Sequence, residues 1–348
     1  MTEYNAAHIQ VLEGAAAVRR RPGMYIGSTG ARGLHHLLYE ALDPAADAVL
    51  QGRASRIEVT LTADGGARIS HDGRPDDNLP EQLTRFWTPP RQTGLRVHLT
   101  RFGTGLFVVS ALSVRLEAVE HRDGLAVHHT YARGELLTPP TETGATDRTG
   151  TTITFHPDPE IFETVAFDYS TLADQLRELA LLNRELDFTL VDERAAPPRT
   201  ERFHHLAGLV DFTTRLGGDP ADTLTVEAED DRMGGTLDIA LSWTGRGGVH
   251  CYANSLRTSD GTHLTGFRAG LRAALLPRLG RHALRTLFGE LTAVVSVKLD
   301  DPDYRGCIRE TLGNHPVHAC TAEAVQHAVE AWLAEHPERA AELAGAGR

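Results

Sequence analysis

The hydrophobic pattern changes period once between residues 34 and 70, and this change limits the fold more than any other stretch of the chain. From about Leu34 to Leu50 the pattern is helical. Arg56-Ile57-Glu58-Val59-Thr60-Leu61 then alternates as a half-buried strand does, Asp64-Gly65-Gly66 makes a tight turn, and Ala67-Arg68-Ile69-Ser70 returns. A helix beside a β-hairpin is expected. Pro44 falls inside that helix, where a proline removes a backbone donor and costs about 3 kcal/mol.

The rest of the chain extends this motif. Ala7 to Arg20 reads as an amphipathic helix ended by Arg21-Pro22-Gly23, and Arg74 to Thr100 as a polar, proline-rich loop with at most short helical pieces. Gly105–Ser113 is an apolar helix. Val114–Val119, His128–Arg133 and Thr151–Phe155 are strands, and Tyr169–Asn183 is a periodic helix. One antiparallel sheet covered by helices makes the fold class α+β. A second unit starts near residue 200, with strands at Leu224–Ala228, Gly235–Trp243, Val249–Ala253 and Leu291–Leu299 and a helix at Leu264–Leu276. Strand, helix and strand in that order predict a crossover. An alanine-rich helix from Thr321 to Ala344 ends the chain.

At 348 residues with 41% apolar content, the chain is long enough for two cores. Its formal charge of −12 excludes a general nucleic-acid binder, which needs clustered Lys and Arg. Arg19-Arg20-Arg21 is too short to change that and is assigned a solvated or structural role. Lys298 is the one lysine among otherwise arginine basic residues, a skew expected of a GC-rich, actinobacterial genome. Cys251, Cys307 and Cys320 lie far apart without CxxC spacing, which predicts reduced thiols rather than a zinc site or disulfide framework. With no 18-residue apolar run and no signal-like start, the expected location is cytoplasmic.

Several segments together resemble the N-terminal region of DNA gyrase B, of the GHKL ATPase superfamily. They are Val18-Arg19-Arg20-Arg21-Pro22-Gly23-Met24-Tyr25-Ile26-Gly27, Gly33 to Asp47, Gly150-Thr151-Thr152, Asp260 to Arg268 and Leu291 to Lys298. The resemblance implies a Bergerat-type α/β sandwich over residues 1–200. A transducer-like domain of the ribosomal S5 type would follow over 201–320, with a C-terminal helix over 321–348. The N-terminal segment through Tyr4 resembles the arm that gyrase B exchanges between protomers, which implies a homodimer. No Asp-x-Asp-x-Asp cluster is present, so topoisomerase activity by this chain alone is not expected.

The resemblance also places the family's ATP determinants. Glu40 matches the acidic residue that activates water, and spacing sets it on one helical face with Asp43 and Asp47. The magnesium-ligating asparagine is replaced by Pro44, which has no side-chain oxygen for a hard cation. His71-Asp72-Gly73-Arg74-Pro75 stands in the Asp-x-Gly-x-Gly turn, whose first aspartate accepts from the adenine amino group. Histidine accepts there only as one neutral tautomer. Arg101-Phe102-Gly103-Thr104-Gly105 keeps two glycines of the phosphate lid, and Phe86, Trp87 and Phe102 are either an apolar rim or core packing. In the second unit Cys307 and Arg309 replace the glutamine and lysine of the phosphate-sensing loop, and arginine is not a neutral exchange.

These departures predict that Mg-ATP is not the ligand, that no cofactor is needed and that the pocket binds, or binds and converts, a small organic molecule of specialised metabolism. Any conversion would be an acid–base cyclisation or isomerisation. Catalytic candidates are Glu40, His71 and Asp72. Ligand-binding candidates are Asp43, Asp47, Arg74, Phe102, Gly103, Gly105, Arg122, Thr151 and Arg309, and no metal ligand is assigned. A purely structural His71 is the plain alternative to a ligand contact or an acid–base group. At the level of function, a regulatory or self-resistance pseudo-ATPase and a divergent active ATPase remain open.

Overall fold

A computed structural model describes residues 13–86, 104–244, 247–306 and 309–345, with side chains at 279–287 and 344–345 excepted. The start of the predicted Ala7 helix, Trp87, Phe102, Gly103 and Cys307 lie outside the described residues. The described residues divide into two compact units, the first lying within 13–86, 104–175 and 186–203 and the second within 176–185 and 204–345.

The first unit opens with α1 (Gly14–Arg20), α2 (Gly23–Ile26) and α3 (Ala31–Leu50), then β1 (Ile57–Leu61) and β2 (Ala67–His71). After α4 (Leu79–Thr84) and α5 (Leu106–Ala111) come β3 (Ser113–Arg122), β4 (Leu125–Ala132), β5 (Glu135–Ala145) and β6 (Gly150–Pro157). It closes with the start of α6 (Tyr169–Leu182), β7 (Phe188–Asp192) and β8 (Arg199–Phe203). The strands form one sheet in the order β5-β4-β3-β6-β2-β1-β7-β8.

Helices α3 and α5 pack on one face of this sheet. That face buries Val59, Leu61, Ile69, Leu116, Ala118, Ile153 and Phe155, while the intervening residues Glu58, Arg68, Glu117 and Thr154 stay at least partly exposed. This is the alternation expected of a sheet with one dry side. The sheet is mixed rather than wholly antiparallel, because β1 pairs with β7 in parallel. β5 has no counterpart among the strands expected from periodicity. It is exposed throughout, carries Pro139 and Pro140, and occupies the edge, where missing amides do least harm. Arg19 takes the predicted structural role, donating to the buried Asp158 carboxylate at 2.8 Å and to the Ala111 carbonyl at 3.0 Å.

In the second unit, α7 (Leu209–Arg215) precedes β9 (Thr223–Asp230), β10 (Gly235–Ser242), β11 (Gly248–Ala253), β12 (Leu256–Thr258) and β13 (Asp260–Gly261). The long α8 (Thr262–Glu290) leads to β14 (Thr292–Leu299), and α9 (His315–Glu335) and α10 (Pro337–Gly345) end the described chain. A five-stranded sheet runs β12-β11-β14-β10-β9. β11 and β14 are parallel, so α8 is the predicted crossover, longer than its periodicity suggested. β14 is buried on both faces: Ala293, Val295, Val297 and Leu299 join the main core, and Val294 joins a smaller one with Phe212 and Tyr252. The terminal helix starts at His315 rather than Thr321 and breaks before Pro337. Among the described residues no helix is long and apolar enough to cross a membrane.

Candidate functional site

The predicted site lies where α3 crosses the ends of β2 and β6. A cavity of about 30 Å³ is walled by Ala41, Pro44, Ala45 and Ala48 from α3, Ile69 and His71 from β2, and Thr151 and Ile153 from β6. Leu79, Gln82 and Leu106 close it, with Arg53 and Asp76 at its polar side.

Glu40 sits at the middle of α3 with 0% exposure. Its Oε2 accepts the backbone amides of Thr104 at 2.8 Å and Gly105 at 2.7 Å. Gly105 has φ of 72° and is the residue from which α5 starts, so a left-handed backbone turns these donors toward the carboxylate. These two amides are thus taken by the protein's own side chain.

Pro44 follows one turn later. α3 remains helical across it, and the proline ring becomes part of the cavity wall. Asp43 and Asp47, both partly buried, are not among the wall residues. Burial pushes the Asp47 carboxyl up to about 7; Arg53 opposes the shift and Asp76 adds to it.

His71 ends β2, and its Nδ1 accepts the Gly73 amide at 3.2 Å. The neutral ring then carries its proton on Nε2. Burial lowers the histidine pKa, which favours this neutral form. Directly beside it in the β2–β6 register is Thr151, 7% exposed.

Asp72 does a different job. Its carboxylate accepts the Ser55 amide at 2.8 Å, the Ser55 hydroxyl and the Arg56 amide at 3.2 Å. Burial raises its pKa, but these donors outweigh that and bring it to about 2. Gly73 completes the joint: a Cβ there would stand 2.5 Å from the Arg53 carbonyl oxygen, so only glycine lets the two loops touch. The loop after α3 is therefore fastened to the turn after β2. That fastening brings Arg53 to the cavity, where its guanidinium meets Asp76 at 3.1 Å. Arg53, Asp76 and Gln82 were not singled out from the sequence, because they belong to polar stretches without a periodic signal.

The remaining candidates disperse. Arg74 is exposed and not a wall residue. Arg122, at the end of β3, pairs with Asp77 at 3.6 Å. Phe86 stacks on Tyr25 at 5.6 Å and meets the Phe107 ring at 4.8 Å, yet stays 50% exposed. Arg309 belongs to the second unit, with its guanidinium 5.7 Å from the Tyr304 ring centre. Among the described residues, no group of three or more His, Cys, Asp or Glu side chains is arranged to hold a metal ion.

Comparison with known proteins places this geometry. The family described as DNA gyrase B matches residues 208–346. The novobiocin-sensitive and novobiocin-resistant gyrase B proteins of Streptomyces niveus are 34% and 37% identical, each aligned over 98% of this chain. The chain spans 57% of the length of each of those relatives. The 43K ATPase domain of Thermus thermophilus gyrase B, solved with an aminocoumarin, superposes with a TM-score of 0.79 at 30% identity. That match covers 97% of this chain and 94% of the other. The unit in which α3 carries Glu40 and the mixed sheet carries His71 and Thr151 is thus a GHKL fold, and the chain belongs to the DNA gyrase B family, in the region that holds its ATPase domain.

Proposed function

We propose that this chain is a gyrase-B-like binding module whose former nucleotide pocket takes a small organic molecule in place of Mg-ATP. The observation that carries this reading is the His71–Gly73 bond. With Nδ1 accepting, the ring presents Nε2–H, a donor, at the position where the family has an aspartate that accepts from the adenine amino group. A ligand with a carbonyl or ring-nitrogen acceptor suits this position, and an amino group does not.

The residues present do not fit Mg-ATP in two further respects. Pro44 offers no oxygen to a cation, and Glu40 occupies the amides of Thr104 and Gly105. Binding is favoured over conversion because two of the three acid–base candidates are committed elsewhere, Glu40 to those amides and Asp72 to Ser55 and Arg56. That a related ATPase domain was solved with an aminocoumarin supports an aromatic carbonyl compound as the ligand type. A self-resistance or specialised-metabolism role follows from this reading.

Calorimetry tests it. ATP is expected to bind without any dependence on magnesium or not at all, whereas an aminocoumarin raises the melting temperature of the chain. Magnesium-dependent ATP binding in the micromolar range overturns the proposal.

A further inference from the structure

A buried polar network lies beyond the residues considered so far. Glu120 on β3 is 1% exposed, and His129 and Tyr131 on β4 are both 0% exposed. His129 Nε2 lies 3.0 Å from Glu120 Oε2, and His129 Nδ1 lies 2.9 Å from the Tyr131 hydroxyl. Burial pushes the Tyr131 phenol up to about 12, with Glu120 adding to the shift, so the phenol keeps its proton and donates it to Nδ1. His129 then donates from Nε2 to Glu120. The carboxylate is oriented as an acceptor, and its other oxygen, Oε1, is buried without a hydrogen-bond partner among the described residues. A buried acceptor left unmade is costly, and a site for a ligand donor accounts for it.

Register sets Glu120 next to the cavity wall, one strand beyond the residues that line it. Glu120 is the direct cross-strand neighbour of Thr151, and Thr151 is that of His71. Directly opposed residues project from the same face of a sheet. His71, Thr151 and Glu120 thus form one row across three strands, spanning about 10 Å at ordinary strand spacing. The row reads donor, hydroxyl, acceptor.

We propose that Glu120, oriented by His129 and Tyr131, is a ligand-contacting residue of this pocket and selects a planar molecule carrying an N–H donor. The inference rests on the pocket reading above. It adds the chemistry of the ligand edge facing β3, opposite the acceptor that His71 selects.

The test uses two probes of the same bicyclic shape, benzimidazole, which has a ring N–H, and benzoxazole, which has none. Saturation-transfer NMR titrations of the whole chain are expected to show benzimidazole binding about tenfold tighter or better, the value of a hydrogen bond to a charged acceptor. Glu120→Gln is expected to remove or reverse this preference. Its carbonyl can keep the bond from His129 while its amide presents a donor where the carboxylate accepted. The wild-type comparison holds even if that variant does not fold. Equal binding of both probes to the wild type overturns the assignment of Glu120 and leaves the pocket reading standing. If neither probe binds a chain that does bind an aminocoumarin, the Glu120 assignment again falls alone. If the chain binds neither probes nor aminocoumarin, both fall.

Discussion

Pro44 stands four residues beyond Glu40 in α3, so the amide that helical geometry would aim at the Glu40 carbonyl is the one proline lacks. The proline also offers the cavity wall no side-chain oxygen and weakens the helix under the buried carboxylate. Amides from the start of α5 hold that carboxylate from the other side.

Pro44→Asn restores the missing amide and is expected to stabilise the chain by about 1–3 kcal/mol, the helix-interior penalty of proline less the lower propensity of asparagine. Differential scanning calorimetry reads this as a higher melting temperature. The variant alone is not expected to bind Mg-ATP, since His71 and the Glu40 bonds are unchanged. A lowered melting temperature would mean that the surrounding residues have adapted to the ring.

Glu40→Gln keeps the shape but gives up the charge in two short amide bonds, and is expected to cost roughly 1–3 kcal/mol in urea denaturation. This loss appears in stability whether or not any ligand is present. Unchanged stability would point to a chemical rather than a structural role for Glu40.

Asp47 provides a pH signature. Its folded pKa of about 7 lies above the ordinary 3.8, so between these values the folded state holds the extra proton. Its contribution therefore lowers stability as pH rises from about 4 to about 7, and levels off above that. Burial sets the shift, with Arg53 acting against it and Asp76 with it. Asp47→Asn is expected to flatten this slope and to be the more stable protein at pH 8, by on the order of 2 kcal/mol. Denaturation midpoints at a series of pH values decide it, and an unchanged slope would contradict the burial of Asp47.

Asp72→Ala separates structural from chemical roles. It releases Ser55 and Arg56, and is expected to cost about 1–3 kcal/mol while leaving aminocoumarin affinity within a few-fold of wild type. His71→Phe should weaken the ligand, and by leaving the Gly73 amide without its acceptor should also cost about 1 kcal/mol in stability. Asp72 itself titrates near 2, below the ordinary 3.8, so the stability it contributes is present above about pH 4 and lost as pH falls toward 2. A large affinity loss in Asp72→Ala would show that the carboxylate reaches the ligand.

By itself the sequence determined the α3–β1–β2 unit and the β11–α8–β14 crossover, because each rests on local periodicity and turn chemistry. Only tertiary structure decided the parallel place of β7 beside β1, the edge position of β5, and the approach of Arg53 to the cavity through Gly73 and Asp72. It also decided that Thr104 and Gly105 direct their amides to Glu40, and that Glu120, His129 and Tyr131 meet. The physical reason is the same in each case. Strand pairing and buried hydrogen bonds join residues distant along the chain, and their partners are chosen by register and by which polar groups are left to satisfy one another once the apolar face has closed.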